Sequence, residues 1–134
     1  MTTNAMTNYL ETKFLQFVLN NNAGSLSAVS TIYLALFTAD PTETGSLSNE
    51  IGTSGTAYAR QSVAFTTSGN ASTNSANIEF PAATASWGTV THIGVMDAST
   101  SGNMLFHGAL TVSKTIDTND IFRINAGDLD ITID

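Results

Sequence analysis

Two histidines, His92 and His107, are the side chains of this sequence best suited to bind a metal or to transfer a proton. Each lies in the middle of a segment with the composition of a β-strand, so pairing of those strands would bring the two imidazole rings near each other. An aspartate beside them would complete a small metal site. The spacing offers no recognisable third ligand, and a hydrogen-bonded strand histidine is the favoured interpretation. We therefore predict no metal site and no cofactor.

The acidic residues suggest two other kinds of site. A group of aspartates near the C-terminal end could supply oxygen ligands to calcium, but it lacks the glycine and the distal glutamate of the twelve-residue calcium loop. Acids in a long loop could form a carboxylate pair of the glycosidase type, although loop acids are usually just solvated. The aspartates are Asp117, Asp120, Asp128, Asp130 and Asp134, and the loop acids are Asp40, Glu43 and Glu50.

Aromatic side chains offer one more possible site. Trp87, the only tryptophan, could stack on a sugar together with Tyr58 and Tyr33, although such rings more often lie in a core or an interface. The sequence contains no G-x-S-x-G nucleophile elbow, no G-x-x-x-x-G-K-[ST] phosphate loop and no G-x-G-x-x-G fingerprint. We predict no catalytic residue and no enzymatic activity.

Composition favours a domain that assembles with other proteins. Charged residues make up only 11 % of the 134 residues, and the net charge is −7. A polar surface with few charges packs against copies of itself without burying unpaired ions, which would cost several kcal/mol each. The four basic residues are too few and too scattered to neutralise a run of phosphates, so nucleic-acid binding is not expected. They are Lys13, Arg60, Lys114 and Arg123.

Membrane insertion and secretion are not expected either. The longest apolar run, Ile32 to Phe37, is far shorter than the ~20 residues that a membrane-spanning helix needs. The N-terminus lacks the basic and then apolar pattern of a signal peptide, and the chain has no cysteine that could form a disulfide. We expect the protein to be made in a cytosol, alone or before assembly into a particle.

One helix is predicted, over residues 8–20. Asn8 is a favourable N-cap residue, Glu11 could complete a capping box, and the asparagines and glycine after residue 19 favour a helix end. Two interpretations of its apolar residues stay open: the helix covers one end of a β fold, or it docks on a neighbouring subunit. These residues are Met6, Leu10, Phe14, Leu15, Phe17, Val18 and Leu19.

The rest of the chain predicts β structure arranged around the segment 87–97. Strict alternation places Trp87, Thr89, Thr91, Ile93 and Val95 on one face of this segment and Val90, His92 and Met96 on the other. Both faces carry apolar groups, as expected for a central strand. The segment 31–38 is also apolar on both faces, so it is predicted to be a central strand as well.

Further strands are predicted over 58–66, 75–80, 104–111, 114–116, 121–124 and 129–134, with a turn over 67–74 and a long loop over 39–56. That loop is interpreted as a contact arm or a mobile surface loop. Seven or eight short strands predict an all-β fold, mainly an antiparallel β-sandwich of jelly-roll or immunoglobulin-like type, with one N-terminal α-helix. We predict a single domain over 1–134, with the sandwich over 31–134.

Eight segments carry a family resemblance, which covers nearly the whole chain and is densest around Trp87. They are Asn8–Glu11, Tyr33–Thr42, Tyr58–Gln61, Phe80–Pro81, Trp87–Gly94, Leu105–Leu110, Lys114–Ile116 and Ala126–Leu129. Taken together and in order, they resemble a family of small virion proteins of tailed bacteriophages, often labelled tail-fibre or minor structural proteins. Members often have glycine where Ser101 or Asn119 stands here, and both are turn positions.

The resemblance implies a non-enzymatic structural component of a tailed-phage virion, assembled in the host cytoplasm. Because an acidic chain is unsuited to line a DNA-filled lumen, we expect a multi-copy accessory protein on the particle exterior that decorates or cements the capsid. The alternative is a tail-fibre, baseplate or minor tail protein, and a further alternative is a carbohydrate-binding module for host attachment. Expected partners are copies of the chain itself, possibly in a trimer, and other virion proteins such as the major capsid or tail proteins.

Overall fold

The computed structural model describes residues 2–3 and 5–133, with side chains from Met6 to Ile133. Within these ranges the chain forms one helix and eleven strands, four of which have only two residues. In chain order they are β1 (Thr2–Thr3), β2 (Ala5–Met6), α1 (Asn8–Leu19), β3 (Ile32–Phe37), β4 (Gln61–Val63), β5 (Phe65–Ser68), β6 (Ala71–Asn74), β7 (Ile78–Glu79), β8 (Gly88–Met96), β9 (Met104–Ile116), β10 (Arg123–Ile124) and β11 (Asp130–Thr132).

The strands form three sheets. The largest has five strands in the order β2-β9-β8-β3-β4, the second has the order β1-β11-β6-β5, and β10 pairs with β7 in a small third sheet. All pairings are antiparallel except the one between β1 and β11. The predicted class, an all-β and mainly antiparallel fold with one N-terminal helix, is confirmed.

One core joins the three sheets. Leu36 and Ile93 of the five-stranded sheet, Ile131 of the four-stranded sheet and Ile78 and Ile124 of the small sheet belong to a single buried apolar cluster. Burial of this kind of surface stabilises a fold by roughly 25 cal/mol per Å². The opposite face of the five-stranded sheet carries a second, smaller cluster made of Ala35, Phe37, Met96 and Met104. Strands β3 and β8 are therefore covered on both faces, as predicted for central strands.

The predicted faces of the 87–97 segment need one correction. Val90 lies in the main core with Trp87, Ile93 and Val95, whereas strict alternation places it on the other face. The pairing is irregular between Val90 and His92, which interrupts the alternation of faces along this segment.

β9 is irregular opposite the same two residues of β8. Val90 pairs with Lys114 and His92 pairs with Ala109, so a step of two residues along β8 matches a step of five along β9. The four residues 110–113 have no partner in the β8 register. The two predicted strands 104–111 and 114–116 are thus one continuous strand, interrupted in its pairing and not in its extended backbone.

The predicted strand 58–66 divides at Ala64. β4 on one side pairs with β3 in the five-stranded sheet, and β5 on the other side pairs with β6 in the four-stranded sheet. The predicted turn over 67–74 is wrong, because β5 and β6 form a hairpin there around Gly69 and Asn70. Gly69 has a φ of +62°, which a tight two-residue hairpin turn requires.

The predicted strand 75–80 is reduced to Ile78–Glu79, and Ala76, predicted to face inward, is exposed. In this segment, hydrogen bonds from the buried side chain of Asn74 replace the backbone hydrogen bonds of a strand pair. It donates to the carbonyls of Ala76 and Asn125 at 2.8 and 2.9 Å and accepts from the amide of Leu129 at 2.9 Å. The last two predicted strands are similarly shortened, to β10 and β11.

The helix begins at Asn8 as predicted and ends one residue early, at Leu19. Its N-cap is Thr7 and not Asn8, since the Thr7 hydroxyl accepts the amide of Leu10 and also donates to the carbonyl of Met104 on β9. No residue of the helix is fully buried, although Leu10, Lys13 and Gln16 are half-buried and the helix contacts β9 and β2. Among the described residues, no helix is long and apolar enough to cross a membrane.

Candidate interaction surfaces

The two histidines lie on adjacent paired strands, His92 opposite Ala109 and His107 opposite Gly94. His92 Nδ1 lies 2.8 Å from the hydroxyl of Thr91, while His107 Nδ1 lies 3.6 Å from an Asp40 carboxylate oxygen. The Nε2 atom of His107 is buried without a hydrogen-bond partner. In the part of the chain that the structure describes, no three His, Cys, Asp or Glu residues come together as a metal site would need.

The C-terminal aspartates lie in the turns and on the surface near the last strands. Asp117 and Asp120 close a turn, in which the amide of Asp117 donates to the Asp120 carboxylate at 2.9 Å. Asp128 is exposed and Asp130 half-buried beside the buried Leu129, and both have interaction partners. Asp134 lies outside the described residues.

The loop acids have different surroundings. Glu50 is bound by Arg60 and Tyr58, Asp40 accepts the amide of Thr42 at 2.8 Å and lies near His107, and Glu43 is exposed. The structure therefore commits Glu50 to a buried hydrogen-bond network.

The proposed sugar platform of Trp87, Tyr58 and Tyr33 is not formed. Trp87 and Tyr58 are each only 4 % exposed, and their rings meet edge to face at 5.5 Å. Phe80 completes the group, since it stacks on Tyr58 and meets Trp87 edge to face. The Trp87 indole donates to the carbonyl of Thr56 at 2.9 Å. These rings form part of the core, because their large apolar area is best buried.

The long loop 39–56 is folded against the five-stranded sheet. The amide of Ile51 donates to the carbonyl of Leu36 at 3.1 Å, and that of Thr38 to the carbonyl of Asn49 at 3.0 Å. Leu47 packs on the second apolar cluster of the sheet, and Pro41 is buried. The loop is thus an ordered cover of one sheet face.

A buried polar network fixes the end of this loop. Both oxygens of Glu50 accept from Arg60, and Glu50 also accepts from the hydroxyl of Tyr58 at 2.9 Å. The remaining Arg60 nitrogen, Nη1, donates to the carbonyls of Ala98 and Ser101 at 2.8 Å in the turn between β8 and β9. One side chain therefore ties together two loops far apart in sequence.

The network shifts the protonation equilibria of two of its members. Burial is the main cause that raises the pKa of Tyr58, and the nearby negative charge of Glu50 adds to it. Burial acts to lower the pKa of Arg60, but the hydrogen bonds and charge of Glu50 outweigh it and raise that pKa. Both groups therefore stay protonated at neutral pH.

The largest exposed apolar feature is α1. Its less exposed residues, Leu10, Lys13 and Gln16, are spaced three apart, and the helix contacts β9 and β2. The side chains on the opposite side of the helix are Phe14, Leu15, Val18 and Leu19, which we name the outward face, and Leu19 is 73 % exposed. The sequence pattern grouped these four residues in one stripe with Met6, Leu10 and Phe17, and it could not reveal that the four point away from the domain.

A groove of about 610 Å³ lies between the irregular part of β9 and the segment 120–124. Its lining includes the exposed apolar residues Val112 and Ile121 and two of the four basic residues, Lys114 and Arg123. Arg123 lies 3.7 Å from Glu79. Sequence reasoning missed this groove, because it arises from the register change in β9.

These features define a mainly antiparallel β domain with a well-packed core and a surface helix that exposes apolar side chains. The sequence model of the family described as Podophage GP4 fiber I protein gp80 matches residues 5–132. The chain belongs to this family of phage fibre proteins, in agreement with the predicted resemblance, and is associated with the virion. No curated protein sequence matches the chain.

Proposed function

We propose that this protein is a non-enzymatic structural component of a phage tail fibre. The single observation that carries the proposal is the match of residues 5–132 to a family whose description names a fibre. That description favours the alternative prediction, a tail-fibre role, over decoration or cementing of the capsid. The protein is made and assembled in the cytoplasm of the host bacterium.

The side chains support a structural role. Of the acids that could have formed a carboxylate pair, Glu50 is committed to Arg60 and Tyr58. Of the aromatic rings that could have bound a sugar, Trp87 and Tyr58 lie in the main core and Tyr33 packs on the second cluster. The domain exposes apolar surface, and surfaces of this kind suit permanent contacts between proteins.

The partners we propose are further copies of this chain and other virion proteins of the tail. A weakly charged surface, with charged residues at 11 % of the chain, can be buried between subunits with a small desolvation cost.

Immunogold labelling of purified particles, combined with mass spectrometry of those particles, tests the proposal. We expect the protein in the particles and the label on tail fibres. Label confined to the capsid surface would instead revive the decoration role, and absence of the protein from particles would overturn a structural function altogether.

A further inference from the structure

We propose that the groove between β9 and the segment 120–124 binds an extended segment of another virion protein. The segment enters as an additional β-strand and carries a carboxylate that pairs with Lys114. The inference rests on the proposed function only in taking the partner to be a virion protein. It goes beyond that function by naming the surface, the conformation of the bound segment and its charge.

The groove runs between two open strand edges. Within the described residues, β9 is paired on its outer side only at Phe106 and His107, where β2 lies, and β10 is paired on one side only, with β7. Both β9 and β10 line the groove, although these two strands belong to different sheets. The groove is therefore bordered on two sides by backbone that can extend a sheet.

The lining indicates that strand edges, rather than strand faces, border the groove. Successive side chains of a strand point to opposite faces, so a groove on one face would contact every second residue. Here consecutive residues line the groove, Lys114–Ile116 on one wall and Ile121–Ile124 on the other. Backbone edges of this kind are recognised by an extended polypeptide, which adds a strand about 4.8 Å from its neighbour.

The register change in β9 adds unpaired backbone to the same wall. Residues 110–113 have no partner in β8, and the pairing with β2 does not extend to them. Val112 and Ile121, which are 63 % and 53 % exposed, contribute apolar surface on opposite walls. A bound strand with apolar side chains would cover both residues, and its backbone could pair with the open edges.

Lys114 determines the charge that the bound segment should carry. It lies directly opposite Val90 in the ladder between β8 and β9, and Val90 is fully buried in the main core. Residues directly opposite each other share a face of the sheet, so Lys114 lies on the core-facing side of β9. The lysine nevertheless stays exposed, because at this point the groove borders the strand.

The other charged residues of the lining already have partners. Asp120 accepts a backbone amide of its own turn, Arg123 lies 3.7 Å from a carboxylate of β7, and Asp128 has an interaction partner. The amino group of Lys114, in contrast, forms no ion pair with any described residue. A carboxylate on the bound segment is therefore the complementary group.

The same charge favours a different protein over a second copy of this chain. Residues 110–116 include no acidic residue, so pairing of this edge with itself would bring no carboxylate to Lys114. The end strands β4 and β5, whose outer edges a second copy could offer, have no acidic residue either. A lysine at an open edge opposes pairing with such strands and selects a strand of opposite charge.

Selection of short peptides from a random library on the immobilised full chain is the first test. We expect the enriched peptides to alternate apolar and polar residues and to include an aspartate or a glutamate. Lys114→Glu should weaken the binding of a synthetic enriched peptide about tenfold, because two carboxylates would then meet. Replacing the acid of the peptide by lysine should restore binding to this variant.

The matched control is Lys13→Glu, which makes the same change of charge on α1, outside the groove. It should bind the peptide as the wild type does. Because neither lysine is buried, both variants should keep the circular dichroism spectrum of the wild type.

Hydrogen exchange measures whether the peptide binds as a strand. The backbone amides of residues 110–113 should exchange rapidly in the free chain and become protected in the complex, since the added strand would pair with this edge.

Three outcomes would overturn the proposal. They are a selection that enriches no peptide, enriched peptides that bind Lys114→Glu as tightly as the wild type, and a complex in which residues 110–113 stay unprotected. Failure of the proposed function is distinguishable, because peptide binding by the isolated chain does not depend on where the label lies on the particle.

Discussion

Arg60 binds Glu50 through two parallel hydrogen bonds, from Nε to Oε1 at 2.7 Å and from Nη2 to Oε2 at 2.8 Å. The two side chains are 3 % and 15 % exposed. A pair this well shielded from water depends on complete hydrogen bonding, because each ion lost much of its hydration when the chain folded. The pair therefore sets how the 39–56 loop and the 97–103 turn are held against the sheets.

Replacement of Arg60 by Met should destabilise the protein by about 3–5 kcal/mol, because it leaves the Glu50 carboxylate buried without its cation. The carbonyls of Ala98 and Ser101 lose their donor as well. Urea unfolding measures the change. The double variant Glu50→Gln with Arg60→Met should cost less than Arg60→Met alone, since no uncompensated charge remains; an equal or larger cost would contradict this account.

Stability should fall as pH rises above about 10, the ordinary pKa of tyrosine. The folded protein holds Tyr58 protonated, because its pKa is raised by burial first and by Glu50 next. Above pH 10 the unfolded chain releases this proton while the folded chain keeps it, so the free energy of unfolding decreases by up to about 1.4 kcal/mol per pH unit. The contribution is fully present below pH 10. Urea unfolding between pH 8 and 11 measures it.

Tyr58→Phe is the control for that pH dependence. The variant should be less stable than the wild type below pH 10, since the amide of Leu36 loses its acceptor. Its stability should nevertheless decline less steeply above pH 10 than that of the wild type. An unchanged slope would assign the pH dependence to another group.

Gly94→Ala should cost about 1–3 kcal/mol through overpacking. A methyl group at this position would lie 2.8 Å from Met104 Cε and 3.0 Å from the ring of Phe37, both buried in the second cluster. Gly52→Ala is the matched control, because nothing lies within 4 Å of an added Cβ there. Thermal melting should separate the two variants, and equal melting temperatures would contradict the packing described for this face.

Fluorescence of Trp87, the only tryptophan, should be blue-shifted and weakly quenched by acrylamide, because the indole is buried and hydrogen-bonded to Thr56. Host polysaccharide should leave the emission unchanged. The control is Leu19→Trp in a Trp87→Phe background, whose emission should be red-shifted and readily quenched. A polysaccharide-dependent change in wild-type emission would restore the sugar-binding alternative.

The sequence pattern correctly predicted those elements that depend mainly on residues close together in the sequence. The helix begins at the predicted residue, and β3 and β8 are central strands because apolar residues on both faces leave no other position for them. The aromatic residues were correctly weighed as more often core than platform.

The errors arose where distant residues decide the structure. Thr67, Ser68 and Ser72 have the small polar composition of a turn, yet they form a hairpin because β11 pairs with β6. Thr7 rather than Asn8 caps the helix because its hydroxyl also reaches β9. The network of Glu50, Arg60 and Tyr58 had no local signal, since its partners are contributed by separate loops.

The register change in β9 has a consequence for how this protein can vary in length. β9 makes two separate ladders with β8, one over Met104–Ala109 and one over Lys114–Ile116. Residues 110–113 belong to neither of them. Residues can be added or removed between these ladders without shifting a single cross-strand pair in either. The segment is therefore where natural variants should tolerate insertions and where a foreign peptide could be displayed on the domain surface.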